Sequence, residues 1–288
     1  MEYLIHLAIL FSIFAILAIS LQLIVGFTGL LSVAHAAFYG IGAYALALLL
    51  EHTGLNFFVA ILVGAVISGV AAALIGLVLS KFRDDYYALG AIGFNVIIFS
   101  ILLNWQEVTR GPLGIPGIDR PELLGFTFSE NIAFLLLALV FLAIVYGISE
   151  FITTSSFGRA LRAIREDEEA LSVFGYRTSF FKLAIFVIGA AMAAIAGGLF
   201  ASYITFIDPT SFGIAESVFM LSIIIFGGLG SLRGALVGAL ILILLPEALR
   251  FVGFTPDIAA QMRQVVYGLL LVFLMLYRPQ GVAGEYRL

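Results

Sequence analysis

The sequence predicts an all-α integral membrane protein: a polytopic helical bundle of about eight or nine transmembrane helices, some of them broken at glycine. Three observations predict it. Hydrophobic residues fill 62% of the 288 positions and charged residues 11%, with a mean hydropathy of +1.17. Soluble domains carry about 25% charged residues, and a chain this apolar cannot supply the polar surface that a soluble core of its size requires. The apolar runs are continuous over about 17 to 23 residues, the length of a membrane-crossing helix, whereas barrel strands alternate over about ten. Glycine-rich stretches such as GFTGLLSVAHAAFYGIGAY, residues 26–44, interrupt those runs.

Taken in order, the candidate spans are roughly 4–25, 34–50, 57–79, 87–104, 131–148, 182–203, 216–229, 235–249 and 264–277. The first reads as a retained span, because MEYLIHLAIL lacks the basic region of a signal peptide. The two between 216 and 249 are short and glycine-flanked, and read either as two spans or as one broken helix. Of 14 Lys and Arg residues, Arg159, Arg162, Arg165, Arg177 and Lys182 lie between the fifth and sixth spans, which makes that segment cytoplasmic. Lys81 and Arg83 mark another cytoplasmic loop, and Arg278 and Arg287 lie in the tail. Nine spans then place the C-terminus in the cytoplasm and the N-terminus outside. The segment TRGPLGIPGIDRPELLGFTF, 109–128, is an external loop whose Pro and Gly exclude a helix. It is either plainly solvated or helps to receive a partner or substrate.

Glycine breaks at membrane depth are tolerated where the freed backbone faces protein or a water-filled cavity, and transporters place such breaks near the midplane. Gly26, Gly29, Ser32, His35 and Gly40 form one candidate break. Gly227, Gly228, Gly230 and Ser231 form a second: GLGSLRGA (228–235) echoes GLLSVAHA (29–36), as an internal repeat would. The competing reading is tight helix packing through small residues, with His35 bonded to a neighbouring helix. Gln22, Asn95, Asn104 and Glu216 are further polar residues within spans. Asn95 is a pathway candidate or a helix–helix hydrogen bonder, and Glu216 caps a helix start.

Several chemistries are excluded. Cysteine is absent, which removes disulfides, thiol catalysis and thiolate metal sites. His6, His35 and His52 lie far apart with no carboxylate cluster, so no metal site is expected. The net charge of −4 gives no basis for nucleic-acid binding. No phosphate-binding G-x-x-x-x-G-K-[ST] loop occurs; the only lysines are Lys81 and Lys182. No paired carboxylates or Ser-His-Asp arrangement points to bond chemistry, so the chain is not expected to be an enzyme. A secondary transporter would show paired intramembrane carboxylates, and a hydrolase built on Ser32 and His35 lacks a third group.

The most informative charged stretch is FGRALRAIREDEEALSVFGYRTSFFKLAIF, 157–186. Residues 159–174 read as one short amphipathic helix, with Arg159, Arg162 and Glu169 on one side and Ala160, Ile164, Leu171 and Phe174 on another. Gly175 ends it, as a positive-φ cap would. Glu169, Ala170 and Leu171 followed by Gly175 resemble the EAA-x3-G signature of ABC importer permeases, whose loop of this kind docks on the ATPase.

The resemblance extends over nearly the whole chain. GFTGLLSVAHAAFYGIGAY resembles the GxxGxxSxGHAAFxGIGAY stretch of branched-chain amino acid permeases, with Ala34 in place of the usual Gly before His35. TRGPLGIPGI, FGGLGSLRGALVGALILILLPEALR and YGLLLVFLMLYRPQGVAG resemble the LivM-type subunit, and the GPxGI loop and the RPQG ending favour it over its LivH partner. The resemblance implies an ABC importer permease fold over 1–288, a single transmembrane domain with a cytoplasmic coupling loop at 150–181. It implies ATPase coupling through Arg159, Arg162, Arg165, Glu169, Ala170, Leu171 and Gly175, and a pathway at the two breaks. The implied partners are a LivH-like permease subunit, two LivG/LivF-like ATPase subunits that carry ATP and Mg, an external solute-binding protein, and membrane lipid. The chain itself would hold no cofactor. The implied cargo is leucine, isoleucine and valine, with other neutral amino acids or urea-like amides as alternatives, and the implied location is the inner or plasma membrane.

Overall fold

A computed structural model describes residues 2–82, 84–123 and 126–250, together with 268, 269, 272, 281 and 282. Helices occupy eight of the segments read as spans: α1 (Glu2–Leu21, extended by a π-turn over Gln22–Gly26), α2 (His35–Thr53), α3 (Phe57–Leu79), α4 (Asp84–Asn104), α6 (Asn131–Thr154), α9 (Thr178–Ile204), α10 (Ile214–Gly227) and α11 (Leu232–Arg250). A one-turn α5 (Gln106–Thr109) follows α4, and two short helices, α7 (Ser156–Glu166) and α8 (Glu168–Val173), lie between α6 and α9. The ninth expected span, 264–277, falls outside the described residues apart from three isolated positions.

Among the described residues, length and apolarity qualify five helices to cross a membrane, or six when α10 and α11, bent by 118° at their break, count as one. The chain is therefore a multi-pass helical membrane protein. The expected eight or nine exceeds that number partly because α2, at 19 residues, carries His35, Glu51 and His52, which dilute its apolarity. The break at 26–34 follows a long helix. α1 and its π-turn run for 25 residues, about 37 Å at 1.5 Å per residue, enough to cross the hydrocarbon core before the chain breaks.

Helix ends follow local chemistry. Asn56 caps α3 by accepting from Phe58 N at 2.9 Å, and α2 stops at Gly54, which has φ +60°. Small residues let the central helices approach: a β-carbon on Gly42 would lie 2.3 Å from the Ala194 backbone, and one on Gly197 would lie 2.1 Å from Tyr39 O. α9 is the hub, packing on α1, α2 and α3. The outer faces of α3 and α6 expose Val, Leu and Ile, the surface that lipid tolerates.

Among its described residues the 109–128 segment is non-helical after Thr109, as its Pro and Gly content predicts, apart from a 3-10 turn over Gly111–Leu113. Strand β1 (Ile115–Pro116) pairs antiparallel with β4 (Phe206–Ile207), between α9 and α10, while β2 (Glu122–Leu123) pairs with β3 (Phe126–Thr127). Gly114 sits where a β-carbon would lie 2.3 Å from Ile207 O. Arg110 pairs with Glu51 at the end of α2.

The single amphipathic helix expected at 159–174 is instead two. Asp167 is extended (φ −158°, ψ 97°), and its carboxylate accepts from Ala170 N at 2.9 Å, so it ends α7 and caps α8. The break redirects the apolar face. Ala160, Leu161 and Ile164 are buried, but Val173 and Phe174 are 84% and 80% exposed. Gly175 has the positive φ (+87°) expected of it.

Candidate functional site

The two glycine breaks meet. Gln22, fully buried in the π-turn, donates from Nε2 to Gly228 O at 2.8 Å and to Ser231 O at 3.1 Å. A β-carbon on Gly26 would lie 2.9 Å from Gly230 N, so only glycine lets the two backbones touch there. Gly228 and Gly230 have φ of 111° and 82°, values that side-chain-bearing residues rarely adopt. Ser231 caps α11 by accepting from Gly234 N at 3.1 Å. Gly227 and Gly234 bring α10 and α11 into backbone contact. Val282, in the segment after α11, donates to Phe226 O at 3.0 Å, so the C-terminal region also touches the second break.

At the first break the chain leaves helical geometry at Gly29, which has φ +75° and whose N–H reaches Val25 O at 3.0 Å. It re-enters a helix at His35. No side chain at Ala34 caps α2. Ser217 of α10 does so instead, accepting from Ala36 N at 2.9 Å. Asn95 of α4 donates to Ser217 Oγ at 2.8 Å and to Val33 O at 3.2 Å, joining three elements around the start of α2. Ser32 Oγ and Asn95 Oδ1 are buried with no partner among the described residues. Gly40 is not at a break. It lies inside α2, where the Phe212 ring occupies the space a β-carbon would need.

His35 is fully buried and pairs with Ser20 of α1 at 2.7 Å through Nε2. The Ser20 hydroxyl donates to Leu17 O at 2.8 Å, so Nε2–H is the donor to Ser20. The partner of His35 is thus on a neighbouring helix and is not Ser32, and no Ser32–His35 nucleophile pair exists.

The α7–α8 segment closes on the same region. Arg165 donates to Gly26 O. Arg162 donates to Thr153 O at 2.8 Å and stacks over the Phe27 ring at 5.6 Å. Arg159 points outward, its guanidinium 3.5 Å from Thr154 O. Glu169 and Ala170 are exposed on α8 and Leu171 is half-buried. Glu168 anchors α8 to α9: it lies 2.7 Å from Lys182 Nζ, which is 3% exposed, and accepts from Thr178 Oγ1 at 2.9 Å. Among the described residues no group of three His, Asp or Glu side chains is placed to hold a metal.

Sequence reasoning placed Gly26, Gly29, Ser32, His35, Asn95, Gly227, Gly228, Gly230 and Ser231 near breaks, and the structure gathers them, with Gln22, about the ends of α1, α2 and α10. It missed Ser20 and Ser217. Each is a lone serine in an apolar run, and nothing local announces a partner far along the chain.

Glycine breaks apposed inside a multi-pass helical bundle are a device of membrane transporters. The sequence matches the family described as branched-chain amino acid transport system / permease component over residues 3–275. It is 34% identical to the high-affinity branched-chain amino acid transport system permease protein LivM of Salmonella typhimurium, over 94% of this chain and 67% of that protein. Its identity to LivM of Escherichia coli is also 34%, over 96% of this chain and 69% of the relative. LivH of Escherichia coli is 29% identical over 95% of this chain and 92% of its own length. No solved structure matches. The chain belongs to the branched-chain amino acid transport permease family, and it is a transport subunit, not an enzyme.

Proposed function

We propose that the chain is a permease subunit of an ATP-binding-cassette importer that moves leucine, isoleucine and valine inward across the inner or plasma membrane by alternating access. One observation carries the reading from the chain's own geometry. The loop between α6 and α9 exposes Val173 and Phe174 on one end while its arginines hold the end of α1. Two adjacent exposed apolar residues at the end of an otherwise charged loop support a protein-docking role for it. The partner it fits is an ATPase subunit, and the names of the relatives supply the cargo.

Two ATPase subunits, a LivH-like second permease and an external solute-binding protein complete the importer. ATP and Mg belong to the ATPases. Counting α2, α10 and α11 singly beside the five long helices gives eight crossings, and the apolar stretch 264–277, read from sequence alone, makes nine. That number puts the N-terminus outside and the C-terminus in the cytoplasm. The pathway runs past the start of α2, where Ser32, Asn95 and Ser217 cluster, and past the second break. The binding protein selects the cargo, so the pathway needs only weak contacts.

ATP-dependent uptake of radiolabelled leucine into proteoliposomes holding the whole importer tests this, with Glu169→Arg as the variant. Uptake that requires ATP and fails in Glu169→Arg, with the membrane subunits still assembled, is the expected result. Uptake indifferent to that variant refutes the docking assignment. Transport of urea in place of leucine keeps the importer and discards the cargo.

A further inference from the structure

We propose that Arg165 is a positioning residue that latches the docking loop to the first glycine break, so that movement of α7 is passed directly to both breaks; this rests on the docking role given to the α7–α8 segment above. The last carbonyls of a helix lack donors within it and carry the negative end of its dipole. The Gly26 carbonyl stands at the end of the π-turn that closes α1, and its donor is the Arg165 guanidinium. A charge-assisted bond of this kind is among the stronger hydrogen bonds a protein makes. Gly29 packs on the same side chain, with a built β-carbon lying 3.1 Å from Arg165 Cγ. One turn earlier on α7, Arg162 grips the end of α6 through Thr153 O and covers the Phe27 ring beside Gly26.

α7 is thereby fastened to the ends of two long helices, α6 and α1, while α8 carries the exposed apolar residues. The connection does not stop at Gly26. Gly26 abuts Gly230, and Gln22 holds Gly228 and Ser231. From Arg165 to the second break there are only direct contacts. A push on the docking surface therefore reaches both breaks along one line of buried contacts at the end of α1.

The chain has no cysteine, so Leu31→Cys, at a position 43% exposed in the first break, is a single reporter when the partner subunits are cysteine-free. The complete importer in proteoliposomes is labelled with a water-soluble maleimide, with and without trapped nucleotide. Nucleotide is expected to change the labelling rate severalfold. Arg165→Ala is expected to abolish that response and to lower leucine uptake about tenfold, the order a lost charge-assisted bond supports. The ATPases should still co-purify and hydrolyse ATP. Arg165→Lys, which keeps a charged donor, should retain part of the response; it is read in place of Arg165→Ala if that variant does not assemble. A full response in the variant read overturns the proposal. Phe174→Asp separates the latch from the docking surface. If it releases the ATPases while Arg165→Ala responds like its parent, docking stands and the latch fails. If it releases nothing while Arg165→Ala silences the reporter, the docking surface is misplaced and the latch stands.

Discussion

Gly26→Ala is the sharpest perturbation of the paired breaks. The new methyl would lie 2.7 Å from Gln22 Cδ and 2.9 Å from Gly230 N, where ordinary contact begins at 3.4 Å. Relief requires a movement of 3.4 minus 2.9, about 0.5 Å, by the Gly230 backbone, together with withdrawal of the Gln22 side chain. Gln22 is not free to withdraw, because its amide holds Gly228 O and Ser231 O. Overpacking of this kind costs about 1 to 3 kcal/mol, and each lost hydrogen bond about 1 more, so the expected cost is about 2 to 4 kcal/mol. Gly147→Ala is the matched control. It lies inside α6 with nothing within 4 Å of its built β-carbon, and alanine favours a helix over glycine by about 1 kcal/mol. Heating the purified importer in lipid nanodiscs and following the loss of the monodisperse peak ranks the two. Gly26→Ala should melt lower than wild type and transport more slowly, with Gly147→Ala at or above wild type. If Gly26→Ala melts and transports like Gly147→Ala, the two breaks do not bear on one another.

Three further outcomes are expected from the same melting assay. Ser20→Ala leaves His35 Nε2 buried without its partner and should cost about 1 to 3 kcal/mol; strict additivity with His35→Phe would show that the pair does not interact. Ser217→Ala removes the cap of α2, worth about 1 kcal/mol, and also an acceptor of Asn95. Asn95→Ala should therefore cost less in that background than alone, and equal costs would dismiss the shared node. Glu168→Gln should destabilise more than Lys182→Met, because it strands an ammonium only 3% exposed, whereas Glu168, at 26%, reaches water when its partner is removed; the reverse order would refute this account of the pair.

The helices were legible because each apolar run is long and bounded. Phe57–Leu79 follows an Asn cap, and Asn131 opens the next long run after the Pro- and Gly-rich loop. The breaks were legible because glycine recurs where the runs stop. The partners at the breaks were not. Ser217 and Ser20 act on residues 181 and 15 positions away, a relation that local periodicity does not encode. The kink at Asp167 was hidden because apolar residues continue at helical spacing through it. A capping Asp inside an amphipathic pattern looks like one more polar residue until its carboxylate is seen on Ala170 N. The contact between the two breaks likewise depends on how α1 lies against α10 and α11, which follows from packing and not from any one segment.

The borrowed cap of α2 has a consequence for how the protein is made. Ser217 is synthesised 181 residues after Ala36, which at about 5 to 20 residues per second is a delay of about 10 to 40 seconds. Through that interval the first turn of α2 has no Ser217 and no side-chain cap of its own. α2 also carries His35, Glu51 and His52 within its 19 residues, which makes it less apolar than α1 and α3. The hydrogen bonding at the start of α2 is thus completed only once α10 has been made. A nascent chain truncated before Ser217 would expose the start of α2 to membrane-embedded quality control, whereas one extended a few turns further would not.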